Sequence, residues 1–524
     1  MNAKTMVGAG LALALGLSVT ACGQQAAPVA EGDISVTYSN IAETPTLDPA
    51  VAFSSDGLVF VRNVYDSLTA YDAGGVEIGP SIATGWEIND DATEYTFELE
   101  QGITFHDGTD LTSSDVVASI NRAKEINQGP ATLLGGVASV TAPDDDTVVI
   151  SLSAPDVYLP GKLQKIAIVS EDAILENATD EDPLAQDWFA TNEAGSGPYQ
   201  LEKWNKGTSI ELVAFEDYRL EWQPGTPTEV SLRTDPDVQT ALQLMQAGDI
   251  DMMGAVGPDE AAAASAMEGV KIVEQDALSV KVLPMNVNNP ALADVRVREA
   301  ITLAFDYQAM VDYYQGYATP AVGPLPTGFG GFDGLPAKER DVEKAKALLA
   351  EAGYADGLTI TFMGIAGLSY EEFGGTLLAQ NLAEVGITVE QNMVTWPQMV
   401  QLQSNPDTAA DITWLDMSAV SDDPSAMLGQ SYLSANIAPN GGYNWSYLVD
   451  EDIDAAITSL GTITDDAERQ AAVLDAVGLI NDAHVAIYAT QPSLSQPVLA
   501  EWDVKYEPMD FNYTVRFFYA KKTA

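Results

Sequence analysis

Several short segments of the chain alternate between apolar and polar residues with a period of two. The pattern is clear in residues 34–38 and 95–99, and it recurs in residues 148–152 and 210–213. Because successive side chains of a β-strand point to opposite faces, this alternation predicts strands with one face in a core. Turn-forming residues separate these segments from their neighbours, which favours short strands in several sheets.

Other segments show the 3.6-residue period of amphipathic helices. Residues 341–352 predict a helix that Asp341 caps at its beginning and Gly353 ends. Thr112 and Asp115 have the spacing of a capping box, in which each side chain accepts a hydrogen bond from the backbone of the other residue. They predict the beginning of a second helix.

The order of elements after residue 357 predicts a strand–helix–strand unit. Its parts are a strand at residues 358–362, a helix at 371–385 and a strand at 387–390. Such units join parallel strands and build open α/β lobes. With 524 residues the chain is longer than one hydrophobic core usually serves, so we expect two or three mixed α/β substructures.

Composition narrows the classes of function. The chain is 46% hydrophobic and has 77 acidic against 23 basic residues, which gives a formal charge of -54. Such a surface repels phosphate backbones and anionic headgroups, so neither nucleic acid nor a polybasic membrane contact is expected. The acidity is explained by solubility outside the cell; an acidic cleft that selects cationic ligands is the alternative.

The N-terminus predicts secretion and lipid anchoring. Residues 6–17 are apolar but too few to span a bilayer comfortably, and small residues precede Cys22, the single cysteine of the chain. We therefore predict a signal peptide at residues 1–21, diacylglycerol attachment at Cys22 and a lipid-anchored tether at residues 22–32. The alternative is an ordinary secretory signal with an incidental cysteine.

The sequence contains no convincing catalytic or metal-binding motif. His106 and His484 are the two histidines, and they are far apart in the chain without the spacing of a metal motif. There is no nucleophile elbow and no phosphate-binding loop, and Asp107-Gly108 next to His106 favours a tight turn. We predict that the protein is not an enzyme and needs no cofactor or metal.

Eight motifs in order carry a family resemblance. They are TLDPA at residues 46–50, VYDSL at 64–68, YTFELEQGITFHDGTDLTSSD at 95–115, GSGPY at 195–199, Tyr218, LMQAGDID at 244–251, DVRVREAITLAFD at 294–306 and KAKALLAEAGY at 344–354. With these motifs the chain resembles the peptide/nickel/opine solute-binding proteins of ABC importers, known as family 5 or cluster C. In that family the second motif lies in a helix, so the resemblance implies a helix at residues 64–68.

The resemblance implies an α/β fold of two lobes, the periplasmic-binding-protein-like fold of type II, cluster C, with an extra inserted domain. The implied divisions are lobe I at residues 33–62, 190–281 and 490–524, an inserted domain at 63–189, and lobe II at 282–489. Chain crossings near residues 283–288 and 491–497 would form a hinge. Closure of two lobes over a solute would exclude water from the ligand.

Two segments are expected to contact the ligand by this resemblance. Glu43, Thr44 and Pro45 precede the first motif, where peptide-binding members offer strand backbone to an extended peptide. Trp396 follows a strand of lobe II, where members commonly place a ligand-facing tryptophan. A position in the core is the alternative for Trp396.

Residues 411–424 correspond to the segment where peptide binders carry an aspartate that pairs with the α-ammonium of the ligand. A gap-free match puts no carboxylate at that position, whereas matching Trp414 leaves Asp416 one residue short of it. Trp414 and Asp416 would share one face of a strand. Asp416 is thus either the partner of an ammonium or an ordinary strand-end carboxylate. Tyr443 and Trp445 either line the ligand site or pack under a loop.

The resemblance also implies the partners. We expect a small-molecule or peptide ligand, an ABC permease with its ATPase, contact with the membrane through the lipid alone, and a monomer on the extracytoplasmic face. The alternatives are a receptor of the same fold for a nickel or haem complex, an opine or an oligosaccharide, and a secreted acidic hydrolase.

Overall fold

The computed structural model describes residues 34–71, 78–330, 332, 335–419, 421, 423–505 and 514–523. The predicted signal peptide, Cys22 and the tether lie outside the described residues, so cleavage and lipidation stay predictions. Within the described part, no helix combines the length and the apolar character that crossing a bilayer requires.

The strands are short, with one exception near the C-terminus. In chain order they are β1 Ser35–Asn40, β2 Thr69–Tyr71, β3 Ile78–Pro80, β4 Ala83–Ile88, β5 Glu94–Leu99, β6 Val137–Asp144, β7 Thr147–Leu152, β8 Tyr199–Asn205, β9 Ser209–Ala214, β10 Glu229–Thr234, β11 Met252–Met253, β12 Val270–Asp276, β13 Ser279–Pro284, β14 Ala318–Thr319, β15 Leu358–Ile365, β16 Ile387–Val394, β17 Ile412–Thr413, β18 Leu415–Ser418, β19 Ala486–Leu499, β20 Trp502–Asp503 and β21 Lys521–Lys522. The four segments with a two-residue period are all strands, which confirms those predictions.

Helices separate many of these strands. In chain order they are α1 Ser55–Val64, α2 Ser113–Ile126, α3 Leu159–Leu163, α4 Glu171–Asn177, α5 Gln186–Phe189, α6 Val238–Ala247, α7 Pro258–Ser265, α8 Val295–Ala304, α9 Tyr307–Tyr313, α10 Val342–Glu351, α11 Ser369–Glu384, α12 Trp396–Gln403, α13 Pro424–Tyr432, α14 Glu451–Ser459 and α15 Asp466–Asp482. Thr112 and Asp115 form the predicted capping box of α2. Asp341 caps α10, and Gly353 beyond its end has the positive φ of 92° that favours glycine.

The largest sheet has the strand order β18-β13-β19-β11-β1-β10-β9-β8. β19 holds it together, because the first part of this long strand pairs with β13 and its second part pairs with β12. The predicted domain boundaries at 281/282 and 489/490 fall within β13 and β19. The two boundaries lie opposite each other in the sheet, since Lys281 pairs with Thr490 and Val282 with Tyr488; residues 493–497 of the second predicted crossing pair with β12 instead.

Two smaller sheets belong to other parts of the chain. β4, β5, β7 and β6 form an antiparallel sheet whose apolar face packs on α2, within residues 63–189. β16, β15 and β17 form a parallel sheet, in which α11 connects β15 to β16. The predicted strand–helix–strand unit is thus confirmed. The mixed α/β architecture agrees with the predicted fold class.

The helix expected at the second motif is wrong for most of its residues. α1 ends at Val64, and Tyr65 is extended with φ of −118° and ψ of 143°. The Gly197 N–H donates to the carbonyl oxygen of Val64 at 2.9 Å. A Cβ on Gly197 would lie 2.6 Å from the carbonyl carbon of Val64. The GSGPY turn therefore occupies the space next to the last turn of α1, and the chain leaves the helix there.

Buried side chains form several separate cores, and β19 contributes residues to more than one of them. One core joins β1, β8, β9 and β10 to Phe517 and Phe518 near the C-terminus. Another joins residues 321–488 to Leu278 and Val280 of the preceding segment and to Tyr71 of β2. Tyr71 thus packs with residues of the predicted lobe II although it lies in the predicted inserted domain. The division into domains stays a prediction.

Candidate ligand-binding site

A cavity of about 610 Å³ lies between two parts of the chain that are far apart in sequence. One side is lined by residues between Thr132 and Lys162, and the other by residues between Ser418 and Tyr443. A second cavity of about 260 Å³ shares Ser418, Gln430 and Tyr443 with the first, so the two adjoin each other. Together they form the candidate site.

A slightly larger hollow, of about 690 Å³, lies elsewhere, against Ser35, Asp251 and Glu501. Its lining includes no aromatic side chain and none of the residues that the sequence predicted to contact a ligand. Ligand sites combine apolar and aromatic walls with a few polar groups. The adjoining cavities, rather than this hollow, are therefore the candidate ligand-binding site.

Trp396 and Tyr443 form an aromatic wall of the site, and Trp445 packs against both. The ring of Trp396 stacks on Tyr443 with 6.2 Å between centroids and lies 5.8 Å from the ring of Trp445. Trp445 is 3% exposed whereas Trp396 is 40% exposed. The buried ring of Trp445 thus supports Trp396, which keeps a free surface next to the cavity. The structure brings together these three predicted residues.

Trp396 is held by the beginning of its helix. It is the first residue of α12, and the capping box of Thr395 and Gln398 fixes the direction in which the helix starts. Pro397 in the first turn adds a rigid backbone. The indole therefore stands on a constrained backbone, which lowers the entropy lost when a ligand contacts it.

Trp414 has a different place from the other aromatic candidates. It is 1% exposed, and its ring packs so closely on Gly374 that a Cβ there would lie 2.1 Å from Trp414 Cζ3. Its indole N–H donates to Oδ1 of Asp416 at 2.9 Å. Trp414 thus belongs to the core and orients Asp416, which itself lines the smaller cavity.

The other oxygen of Asp416 is occupied as well. Oδ2 accepts from Lys281 Nζ at 2.7 Å and from the Tyr370 hydroxyl at 2.9 Å. Lys281 and Asp416 face each other in the register of β13 and β18, so the sheet itself sets this pair. The Lys281 ammonium also lies 4.8 Å from the centroid of the Tyr370 ring.

These contacts form a linked group of ionisable side chains at the edge of the smaller cavity. Burial and the nearby carboxylate of Asp416 raise the pKa of the Tyr370 hydroxyl above its usual value. Burial raises the pKa of Glu371 to about 7, and Asp416 adds to that shift. Glu371 also accepts a hydrogen bond from the Ile365 N–H at 2.6 Å.

Lys162 joins the two sides of the larger cavity. Its Nζ lies 2.8 Å from Oδ2 of Asp156 on its own side and 2.9 Å from Oδ2 of Asp423 on the other. Burial lowers the pKa of Lys162 while Asp423 and Asp156 raise it, and the net change is upward. Asp423 also caps α13 through the Ala426 N–H. Lys162 therefore stays charged and connects both walls.

The predicted backbone segment lies apart from these cavities. Glu43 and Pro45 are exposed, whereas Thr44 is buried and its hydroxyl donates to the Asp56 carbonyl at 3.3 Å. None of these three lines either of the adjoining cavities. Contact of this segment with a ligand stays a prediction.

The two histidines lie outside the site. His106 Nδ1 is 2.9 Å from Glu193 and Nε2 is 2.8 Å from the Gly197 carbonyl. His106 thus ties the predicted tight turn to the GSGPY segment. Within the described residues, no group of three or more histidine, cysteine and acidic side chains is arranged to hold a metal ion.

Sequence reasoning missed Lys162, Lys281 and Tyr370. Lys281 and Asp416 are 135 positions apart, and no local pattern connects them. The side chain of Lys281 is only 12% exposed, which is low for a charged residue. The reason for this burial, its ion pair with Asp416, can be seen only when the neighbouring strand β18 is known.

Comparisons with known proteins agree with this architecture. The profile of the bacterial extracellular solute-binding proteins, family 5 Middle, matches residues 77–439. A probable D,D-dipeptide-binding periplasmic protein of Escherichia coli K12, DdpA, is 31% identical over 318 residues, which are 58% of this chain and 60% of DdpA. The glutathione-binding protein GsiB of Salmonella typhi is 27% identical over 425 residues, covering 79% of this chain and 81% of GsiB.

The structure of HbpA2 from Haemophilus parasuis has the same fold, with a TM-score of 0.85 at 23% identity over 94% of this chain and 100% of HbpA2. The family profile covers more than half of the sequence, and it includes most of the residues that line the adjoining cavities. The family inferred from the eight motifs is confirmed. The chain belongs to the family 5 bacterial extracellular solute-binding proteins, the receptors of ABC importers.

Proposed function

We propose that this protein is a lipid-anchored receptor on the extracytoplasmic face that captures a peptide or peptide-like solute between two hinged lobes. It delivers this solute to an ABC permease and its ATPase. The observation that carries the proposal is the pair of adjoining cavities with one aromatic wall, where residues 132–162 meet residues 415–443.

The size and lining of the site suit a short peptide. A volume of about 610 Å³ lies within the range of small-ligand pockets, roughly 300–1,000 Å³. Trp396 and Tyr443 offer apolar faces, while Ser418 and Gln430 offer neutral polar groups. DdpA and GsiB are named for a D,D-dipeptide and for glutathione, which are both short peptides.

The proposed hinge lies at the paired strands β13 and β19. Small rotations in these two strands would change the distance between the walls without breaking either core. Lys162 and Asp423 then meet only when the walls are close together. We expect solute binding to favour this arrangement because a ligand contacts both walls there.

The anchor would hold the receptor at the membrane. Residues 23–32 reach at most about 33 Å when extended, so the lobes would stay near the permease. In this proposal the protein is a monomer that acts by capture and release without catalysis.

Binding of a tripeptide library to the purified chain, followed by intrinsic tryptophan fluorescence and thermal unfolding, tests the proposal. A member at 100 times its dissociation constant should stabilise the folded state by about 2.7 kcal/mol. Trp396→Ala should weaken binding about tenfold or more, because the indole covers one wall of the cavity.

Val400→Ala is the matched control. Val400 is also 40% exposed and lies on the same helix, α12, but it lines neither cavity. Its variant should bind like the parent chain. Equal affinity of the parent and the Trp396→Ala variant for every bound peptide would contradict the assignment of the site.

A further inference from the structure

We propose that Lys281 supplies the positive charge that Asp416 would otherwise take from a ligand. The smaller cavity, which Asp416 lines, would then accept peptide-like solutes that have no free ammonium next to Asp416, such as N-acylated peptides. The inference rests on the proposed function. It deepens that function by assigning the chemical class of the ligand end and a residue that determines specificity.

The first argument is the saturation of the Asp416 carboxylate. Oδ1 accepts from Trp414, and Oδ2 accepts from both Lys281 and Tyr370, all at 2.7–2.9 Å. A carboxylate has about four acceptor positions, and three are used here. More important, its single negative charge is already balanced by an ammonium at 2.7 Å.

The second argument is that Lys281 is fixed in place. It is the register partner of Asp416 across β13 and β18, and its side chain is 12% exposed. The Tyr370 ring lies 4.8 Å from its ammonium. A ligand ammonium could reach Asp416 only by displacing Lys281 or by lying next to it, and both leave a positive charge poorly compensated in a partly buried site.

The third argument concerns the other carboxylates of the site. Asp156 is the second acidic residue that lines the adjoining cavities, and its Oδ2 pairs with Lys162 while its Oδ1 accepts from the Tyr158 N–H. Asp423, on the opposite wall, is 3% exposed and also pairs with Lys162. Both acidic residues that line the cavities therefore have a lysine of the protein as a partner.

Apart from Asp416, the side chains that line the smaller cavity are uncharged. Next to Asp416, the smaller cavity is lined by Trp396, Tyr443, Gln430 and two serines, Ser418 and Ser431. Aromatic faces with amide and hydroxyl groups suit an uncharged acyl or amide end, since such groups need contact area and hydrogen bonds but no counter-charge.

The experiment uses one pooled tripeptide library in two forms, with free and with N-acetylated amino termini. The full-length protein is equilibrated with both forms, and retained peptides are counted by mass spectrometry. For the parent chain we expect N-acetylation to leave retention within about threefold or to increase it. In Lys281→Met, Asp416 loses its partner, so we expect the free-amine form to gain at least tenfold over the acetylated form.

Two variants control for folding and for indirect effects. Lys281→Arg keeps the positive charge and should behave like the parent chain. Lys281→Met combined with Asp416→Asn removes both charges and should lose the gained preference for amines. Tenfold or greater preference of the parent chain for free amines would overturn this inference and leave the proposed function intact. Retention of neither form by the parent chain or by any variant would instead overturn the peptide ligand itself.

Discussion

The ion pair across the larger cavity gives the sharpest test of how the two walls stay together. Lys162→Met keeps a flexible side chain of similar reach but removes the ammonium that lies 2.9 Å from Asp423 and 2.8 Å from Asp156. When the walls meet, the 3%-exposed carboxylate of Asp423 then lacks its counter-charge. When the walls separate, water can solvate both carboxylates.

The magnitude follows from the burial of the three groups. Removing one partner from a fully buried pair costs about 3–5 kcal/mol. The side chains of Lys162 and Asp156 keep 15% and 18% exposure, and the Ala426 N–H still donates to Asp423, so we expect a smaller loss. A loss of about 2 kcal/mol corresponds to a shift of about 30-fold in the equilibrium between the two arrangements.

Small-angle scattering of the purified protein and calorimetric titration with its best-binding tripeptide measure this shift. For Lys162→Met we expect a larger radius of gyration in the absence of peptide and an affinity weaker by up to about 30-fold, the full factor applying where the parent chain is mostly open without peptide. Lys162→Arg should resemble the parent chain. Lys162→Met combined with Asp423→Asn should recover much of the loss, because the asparagine is neutral and still caps α13. Unchanged scattering and affinity in Lys162→Met would refute the reasoning.

Three further predictions concern the pH dependence, the core and the anchor. Burial raises the pKa of Glu371 from 4.5 to about 7, so the folded state binds more protons than the unfolded state between these pH values. The free energy of unfolding should therefore fall by about 1–2 kcal/mol as pH rises through this window. In denaturant titrations Glu371→Gln should remove that decrease. Gly374→Ala would place a Cβ 2.1 Å from Trp414 Cζ3, so the free energy of unfolding in urea should fall by about 2–4 kcal/mol. Gly478→Ala on α15 is the control: its Cβ would have no atom within 4 Å, so this variant should be as stable as the parent chain or slightly more stable. Cys22→Ser should move the protein from the membrane to the soluble fraction; a variant that stays membrane-bound would contradict the lipid anchor.

Local elements were predicted well because their causes lie within a few residues. The capping box at Thr112 and Asp115 is satisfied by hydrogen bonds across three positions, and the helix of Asp341 depends on its own first turn. The helix expected after Val64 failed for the opposite reason. The GSGPY turn occupies the space beyond α1, although it is about 130 positions away.

Several residues of the candidate site were predicted from the sequence, but their arrangement in space was not. Trp396, Tyr443 and Trp445 were identified one by one, and their mutual distances of about 6 Å appear only in the folded chain. The alternative meanings of Asp416 also depended on its surroundings. Its partner Lys281 comes from another strand, so the sequence around Asp416 contained no information about its charge balance.

Ordered motifs and apolar periods are properties of neighbouring residues, so the family, the mixed α/β class and several short elements could be predicted from the sequence. The carboxylates that Lys162 and Lys281 balance, the position of the aromatic wall and the pairing of β13 with β19 became apparent in the folded chain alone. Lys281 and Asp416 are 135 positions apart, and only folding brings such distant groups together, so no local pattern could indicate their contact.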